Sequence, residues 1–435
     1  MDLNSTSVEL KERDTFTLTA TVTPSDATNK TVIFRTSNAK IATVGEKTGI
    51  IKGIKAGKAI ITAISGNKTK TCQVTVKAKP NASNKHKLSL TSNTTKIQIA
   101  KGDTIELENS KVKYKTTMKD GDIVKFNKDD KQYIKTINAI GLGTVTIPIT
   151  TNEANNSNKT LIVIVVPINK IINYSVQKYK PILEDYRVYN PRGNFQNFAI
   201  TNVGKSNQKI YVTTQVDSVV TIHNVYDLSK KYISNYTSHG QGFDIDQNGK
   251  FLLLAKKTGE NSNKITVYKS FSAEAPSISL LPGLEFTIDY ENDMIALIQN
   301  NWKNGEFLNG NCTIYKYSEF LKGNKNELYK FNFIPKEYKE YNSFYDEEIT
   351  SQSTNGYAIN NGYLYQLRGC YNGTMYIEAW DFGGGNSVKW NKVKGDSPSF
   401  FYKREAEGIK IYNDKIYIGS TVADSSFYYN VGYLE

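Results

Sequence analysis

The side chains best suited to nucleophilic or metal chemistry are few in this sequence. Histidine occurs three times, at His86, His223 and His239, and cysteine three times, at Cys72, Cys312 and Cys370. The cysteines are far apart and lack metal-type spacing, and their odd number argues against a disulfide scaffold. No Gly-x-Ser-x-Gly elbow or phosphate-cradling loop occurs. Asp244-Ile245-Asp246-Gln247-Asn248-Gly249 opens like a calcium loop, but its twelfth position is Ala255 and not the bidentate Glu. It reads as a hairpin turn. Glu405 and Glu407 imitate a glycosidase pair, yet two glutamates at i and i+2 equally flank the start of a strand. The expectation is a protein that is not an enzyme and carries no metal and no cofactor.

Reversible binding of a saccharide is the chemistry these residues suit better. Sugars need aromatic faces for their C–H groups and polar tips for their hydroxyls. Trp302 and Tyr371 lie in loop-like sequence, Asn301-Trp302-Lys303-Asn304-Gly305 and Cys370-Tyr371-Asn372-Gly373. Gln196, Gln241, Glu285, Asn355 and Glu407 stand at the starts of repeated segments, and His239 shortly precedes one. These eight residues are the candidate ligand contacts. The competing role for the five repeat-start residues is hydrogen bonding to neighbouring backbone. His223 reads as a packed strand residue, His86 as linker and Trp380 as core.

The elements that position them repeat five times. Gln196-Asn197-Phe198-Ala199-Ile200, Gln241-Gly242-Phe243-Asp244-Ile245, Leu284-Glu285-Phe286-Thr287-Ile288, Asn355-Gly356-Tyr357-Ala358-Ile359 and Glu407-Gly408-Ile409-Lys410-Ile411 share one loose pattern. Each precedes an apolar hairpin partner, such as Met294-Ile295-Ala296-Leu297-Ile298, and then a third strand, such as Met375-Tyr376-Ile377-Glu378-Ala379-Trp380. The starts fall 45, 43, 71 and 52 residues apart. A period near 45 with three or four strands per unit predicts propeller blades, here five over 171–435. The last unit stops after its third strand, so residues near Leu183–Tyr189 are expected to complete it and join the ring. The long interval predicts an irregular insertion over Gln299–Asn311 and Ser318–Thr350.

Residues 1–168 follow another pattern. Thr15-Phe16-Thr17-Leu18-Thr19-Ala20-Thr21-Val22 alternates as one half-buried strand. Ile137–Ile147 parallels Ile51–Ile61 at an offset of 86 residues. That offset predicts two sandwiches, 1–78 and 86–168, joined by a linker over Lys77–Lys87. The fold class is all-β throughout: two Ig-like β-sandwiches and a C-terminal five-bladed β-propeller.

The charge is concentrated in those first modules. Residues 1–170 hold 27 Lys+Arg against 14 Asp+Glu, whereas 171–435 hold 28 of each, so the net +13 lies wholly in the N-terminal part. A basic arm favours anionic partners. No nucleic-acid recognition motif accompanies it, so nucleic acid is not an expected partner. The longest apolar run, Leu161-Ile162-Val163-Ile164-Val165-Val166, is too short to cross a bilayer, so membrane insertion is not expected. Met1 leads directly into polar sequence with no signal-peptide pattern. That is read either as export by another route or as a fragment of a longer protein.

The stretch "TFTLTATVTPSDATNKTVIFRTSNAKIATV…TGIIKGIKAGKAIITA…CQVTV" resembles a bacterial Ig-like group 2 domain, with Phe34 where that family often has Trp. Such modules are spacers on bacterial surface proteins and phage tails. The later repeats resemble the five-bladed propellers of receptor-binding proteins from phages of Gram-positive bacteria, and the helveticin J group of large bacteriocins. The motifs are His239-Gly240-Gln241-Gly242-Phe243, Gly356-Tyr357-Ala358-Ile359-Asn360-Asn361-Gly362-Tyr363-Leu364-Tyr365-Gln366-Leu367 and Glu405-Ala406-Glu407-Gly408-Ile409-Lys410-Ile411. The resemblance of the later repeats to phage receptor-binding proteins implies an extracellular protein of the virion tail that binds cell-wall glycan or teichoic acid. Other tail or baseplate proteins would be partners, and homotrimers are frequent in that class. The alternatives it leaves are a secreted bacteriocin or a wall-associated adhesin.

Overall fold

The computed structural model describes all residues except 12–13, 25, 78–83, 109–110, 154–157, 173, 175–178, 188–193, 205, 217–218, 227–230, 238–241, 247–250, 258–263, 271–272, 280–283, 304–305, 337–338, 343–346, 351–353, 370–374, 394–403, 423–427 and 435. Among the described residues the regular elements are strands, apart from one helical turn at Tyr317–Phe320. It divides into two compact units, Met1–Asn84 and Lys85–Glu435.

The first unit packs one four-stranded sheet against a smaller sheet. The larger runs in the order Ser7–Lys11, Lys68–Lys77, Gly57–Ser65, Ile33–Thr36; the smaller in the order Thr15–Thr17, Ile50–Gly53, Ala42–Val44. Ser7–Lys11 and Lys68–Lys77 pair in parallel, Val8 opposite Val74. Period-two alternation sends Ile61, Cys72, Val74, Phe34 and Ile51 into the space between the sheets. Phe34 is buried there and fills the core. The single strand expected over Thr15–Val22 is instead two, Thr15–Thr17 and Ala20–Thr21, belonging to different sheets. The break falls at Leu18, whose N–H donates to the Gly49 carbonyl outside the ladder.

The second unit opens with two four-stranded sheets of the same plan. Thr94–Ala100 runs parallel to Lys159–Val166, which pairs with Gly143–Thr151. Facing them are Lys85–Leu88, Thr104–Leu107, Ile134–Ala139 and Val124–Lys128. Ile137 and Ile147, each 86 residues beyond Ile51 and Ile61, are fully buried like their counterparts. The linker expected up to Lys87 is shorter than that. Lys85–Leu88 is already a strand, and His86 sits in it with Nε2 2.7 Å from Asp103 Oδ2.

From Tyr179 onward the strands form antiparallel sheets. Leu284–Asp289, Met294–Lys303, Glu306–Lys316 and Glu327–Phe333 make one. Thr354–Asn360, Tyr363–Arg368, Tyr376–Asp381 and Ser387–Lys392 make the next. Arg404–Tyr412, Lys415–Val422 and Tyr428–Leu434 are completed by Tyr179–Arg187, with Tyr179 opposite Leu434. Residues 194–279 supply the eight strands of one sheet, in which Lys231–Thr237 pairs with Phe251–Lys257 and Phe243–Ile245 pairs with that same strand off the main order.

The first strand of each repeat touches the next. Asn194–Thr201 contacts Phe243–Ile245, which contacts Leu284–Asp289. That strand contacts Thr354–Asn360, then Arg404–Tyr412, which returns to Asn194–Thr201. These five inner strands bury small or aromatic residues where they meet. A Cβ on Gly408 would lie 2.6 Å from Asn197 Oδ1, and one on Gly356 would lie 3.3 Å from the Ile409 nitrogen.

The irregular insertion expected after Gln299 is largely regular. Gln299–Lys303 and Glu306–Asn311 continue one hairpin, Trp302 opposite Phe307, so Trp302 lies in a strand and not in a loop. Cross-strand alternation overrides the turn-like composition there. Glu327–Phe333 is a fourth sheet strand, and Lys339–Asn342 pairs with Glu347–Thr350 as a further hairpin.

Candidate functional site

The starts of the inner strands face away from residues 85–166. At the other end of the inner strand Thr354–Asn360, Gly362 accepts a hydrogen bond from Gln98 Nε2 at 3.0 Å and packs on Val166. In the neighbouring sheet, Tyr329 donates to the Val165 carbonyl at 2.7 Å. Ile164 and Val166 share one apolar core with Phe331, Phe333, Leu364 and Trp380. One end of these sheets is therefore covered, and the repeat starts sit at the opposite end.

Gln196, Glu285, Asn355 and Glu407 all fall at that end, on inner strands that adjoin in turn. Gln196, Asn355 and Glu407 are buried, whereas Glu285 is half-buried. Asn355 Oδ1 accepts the Gly369 N–H at 2.9 Å, which ties it to its own hairpin. His239, Gln241 and Tyr371 lie outside the described residues. Trp302 is placed by its backbone alone.

Glu285 carries the most distinctive chemistry. Its Oε1 accepts from Asn300 Nδ2 at 2.8 Å. Asn300 Oδ1 accepts from the Tyr357 hydroxyl at 2.6 Å, and that hydroxyl accepts from Gln366 Nε2 at 2.9 Å. Burial pushes the Glu285 carboxyl up to about 7, with the Asn300 bond pulling the other way. Tyr357 is pushed well above its ordinary value, mainly by burial and then by the Glu285 charge.

This row continues across the sheet, where Tyr357 faces Gln366 and Gln366 faces Glu378. Glu378 Oε1 accepts from Ser387 Oγ at 2.5 Å, and Oε2 accepts the Lys336 N–H at 3.0 Å. Arg368 reaches to 4.0 Å from Glu378 and donates to the Lys336 carbonyl at 2.7 Å. Burial raises the Glu378 carboxyl. A second buried polar centre joins Lys410 Nζ to Asp244 Oδ2 at 2.8 Å and to the Phe243 carbonyl at 2.7 Å.

Asn300, Tyr357, Gln366, Glu378, Lys410 and Asp244 were not candidates from sequence. Their signal was present but weak: a polar residue at an inward register of an apolar strand, as in Tyr363-Leu364-Tyr365-Gln366-Leu367. Among the described residues, no cluster of three or more His, Cys, Asp or Glu is placed to hold a metal ion. No helix among them is long and apolar enough to cross a membrane. Cys72 and Cys312 are free and buried, and burial raises both thiols.

Residues 1–76 match the family profile of the bacterial Ig-like domain (group 2). The N-terminal module is a bacterial Ig-like domain. The chain is also 48% identical, over 63 residues, to an Ig-like virion protein of Serratia phage KSP90; the match covers 14% of this chain and 24% of that protein. The chain thus matches about a quarter of that relative's length.

Solved structures similar to the chain include the tail fiber of Staphylococcus aureus phage P68, at 15% identity and a TM-score of 0.40, over 59% of this chain and 52% of the fiber. A glycoside hydrolase-like protein of Parabacteroides distasonis ATCC 8503 is similar at 9% identity and a TM-score of 0.34, over 59% of this chain and 97% of its own. Likenesses this weak carry no argument. What stands is an all-β chain that begins with an Ig-like domain similar to a phage virion protein.

Proposed function

We propose that this chain is a non-enzymatic attachment protein of a phage tail, working outside the cell by holding bacterial cell-wall glycan or teichoic acid. The similarity of its Ig-like domain to a virion protein carries the reading. In this reading residues 171–435 close into a five-bladed propeller. Support comes from the cycle of inner-strand contacts and from the strand Tyr179–Arg187, which completes the last sheet. Residues 1–168 act as a basic arm of two Ig-like modules.

A propeller gathers the starts of its inner strands at one mouth. That places Gln196, Glu285, Asn355 and Glu407 round a common opening, on the end away from residues 85–166. Other tail proteins are the partners of the arm. Homotrimeric assembly would multiply weak single-site affinity.

The test is sedimentation of the full-length chain with isolated Gram-positive walls, before and after chemical removal of teichoic acid. Binding to intact walls supports the reading, and its loss on stripping identifies teichoic acid as the ligand. No binding to either preparation overturns it.

A further inference from the structure

We propose that Glu285 and Asn300, backed by the row Tyr357–Gln366–Glu378, form a subsite for two neighbouring hydroxyls of a saccharide. The proposal deepens the attachment reading and rests on it.

The hydrogen bonds of the row run one way. Gln366 donates to Tyr357, Tyr357 to Asn300, and Asn300 to Glu285 Oε1. Every step hands a donor toward the half-buried end, where both Glu285 and Asn300 keep surface in solvent. One amide N–H fixes Oε1, while the second carboxylate oxygen takes none of these bonds. The Asn300 amide has two N–H groups and spends one on Glu285. An open acceptor beside an open donor is the complement of a vicinal diol, whose one hydroxyl donates while its neighbour accepts.

The groups behind them are rigid and buried. Tyr357 is 4% exposed, and Gln366 and Glu378 are fully buried. Gln366 Nε2 is doubly engaged, with Tyr357 and with Thr354 Oγ1 at 2.9 Å, yet its carbonyl oxygen Oε1 is buried without a partner. A buried acceptor left over costs about 1–3 kcal/mol. A row that bears this cost while aligning a partly buried acid favours positioning over stability.

The hairpin beside Glu285 supplies a wall. Its strands Met294–Lys303 and Glu306–Lys316 outrun the inner strand Leu284–Asp289, whose first residue pairs with Gln299. Asn300–Lys303 therefore project past the start of the inner strand, next to Glu285. Phe307 on the returning strand packs 6.4 Å from Phe333, which anchors the projection to the sheet core. The ionisable groups along the row are Tyr357, Arg368 and Glu378, and the Glu285 shift arises from burial and Asn300.

The experiment measures binding of the full-length chain to isolated Gram-positive walls from pH 6 to pH 8, for the parent and for Glu285→Gln, Asn300→Ser and Tyr357→Phe. Thermal unfolding of each variant checks the fold. A ligand hydroxyl donates more strongly to a carboxylate than to an acid. Parent binding is therefore expected to strengthen as pH rises through about 7.

Glu285→Gln is expected to weaken binding about tenfold or more and to flatten the pH profile. Asn300→Ser is expected to weaken it similarly, and it serves as the readout if Glu285→Gln loses its thermal transition. Tyr357 acts through Asn300, so Tyr357→Phe is expected to weaken binding while keeping the pH dependence. If folded Glu285 and Asn300 variants bind as the parent does, the subsite is refuted while the attachment reading stands. If the parent itself fails to bind walls, both are refuted.

Discussion

The Lys410 ammonium stands 2.8 Å from the Asp244 carboxylate, and both side chains are almost wholly shut away from solvent. Lys410 and Asp244 hold the same position in the fifth and second repeats. The strand between them, Asn194–Thr201, carries Ala199 there, which is small and buried. Burial drives the Asp244 carboxyl up, and Lys410 pulls against it.

Removing one partner of a buried pair leaves an uncompensated charge. Lys410→Met is expected to destabilise the second unit by about 3–5 kcal/mol, read by urea unfolding. The double change Lys410→Met with Asp244→Leu is expected to recover most of the loss, because matched apolar groups replace such pairs at little cost. A single variant as stable as the parent would contradict the pairing.

The contact between neighbouring sheets can be tested at Gly385. Its φ is +63°, and a Cβ there would lie 1.8 Å from the Asn332 carbonyl oxygen of the preceding sheet. Gly204, with φ +74°, has nothing within 4 Å of that position. Both substitutions to Ala carry a left-handed backbone cost of about 1–2 kcal/mol. Gly385→Ala is expected to cost about 2 kcal/mol more through the clash. Equal midpoints for the two variants in thermal unfolding would argue that the sheets are not packed at this point.

Asp289 predicts a pH dependence of stability. Burial pushes its carboxyl up to about 6, against bonds from Asn292 to both of its oxygens. A carboxyl raised in the fold binds its proton more tightly folded than unfolded. Its contribution is therefore fully present below about pH 4 and is lost as pH rises through about 6. The stability difference between parent and Asp289→Asn is expected to move by about 2 kcal/mol between pH 4 and pH 7, against the parent as pH rises. A flat difference across that range would remove the buried acid from the account.

The strand that joins Tyr179–Arg187 to the last sheet should be essential to that sheet. Tyr428–Leu434 lies between Tyr179–Arg187 and Lys415–Val422 in one sheet. A chain truncated after residue 427 loses that middle strand and bares two unpaired edges. Scanning calorimetry is expected to show a broadened, multi-step transition with aggregation. A sharp transition at the parent temperature would show that these ends are not coupled.

Much of this architecture was legible because strand periodicity is a short-range signal. Among the described residues, the five first strands, their hairpin partners and the third strands overlap the segments in which the repeat places them. The completing strand also overlaps the stretch singled out for it, beginning four residues earlier at Tyr179. The polar row was not legible, since it is written across strands. Tyr357, Gln366 and Glu378 meet through register, and Asn300 reaches them from another sheet. Composition misled at Trp302, where Asn and Gly neighbours suggested a loop and cross-strand pairing extended the hairpin instead. His86 was misplaced for a similar reason, because a strand pairing in parallel with distant Thr104–Leu107 leaves no local mark.

Hydrogen exchange of the full-length chain, with and without soluble Gram-positive wall fragments, tests the central claim most directly. Protection is expected in the segments bearing Gln196, Glu285, Asn355 and Glu407 and along Met294–Lys316, with residues 1–84 unchanged. Protection confined to residues 1–84, or none anywhere at saturating fragment, would contradict a binding mouth at the start of the inner strands.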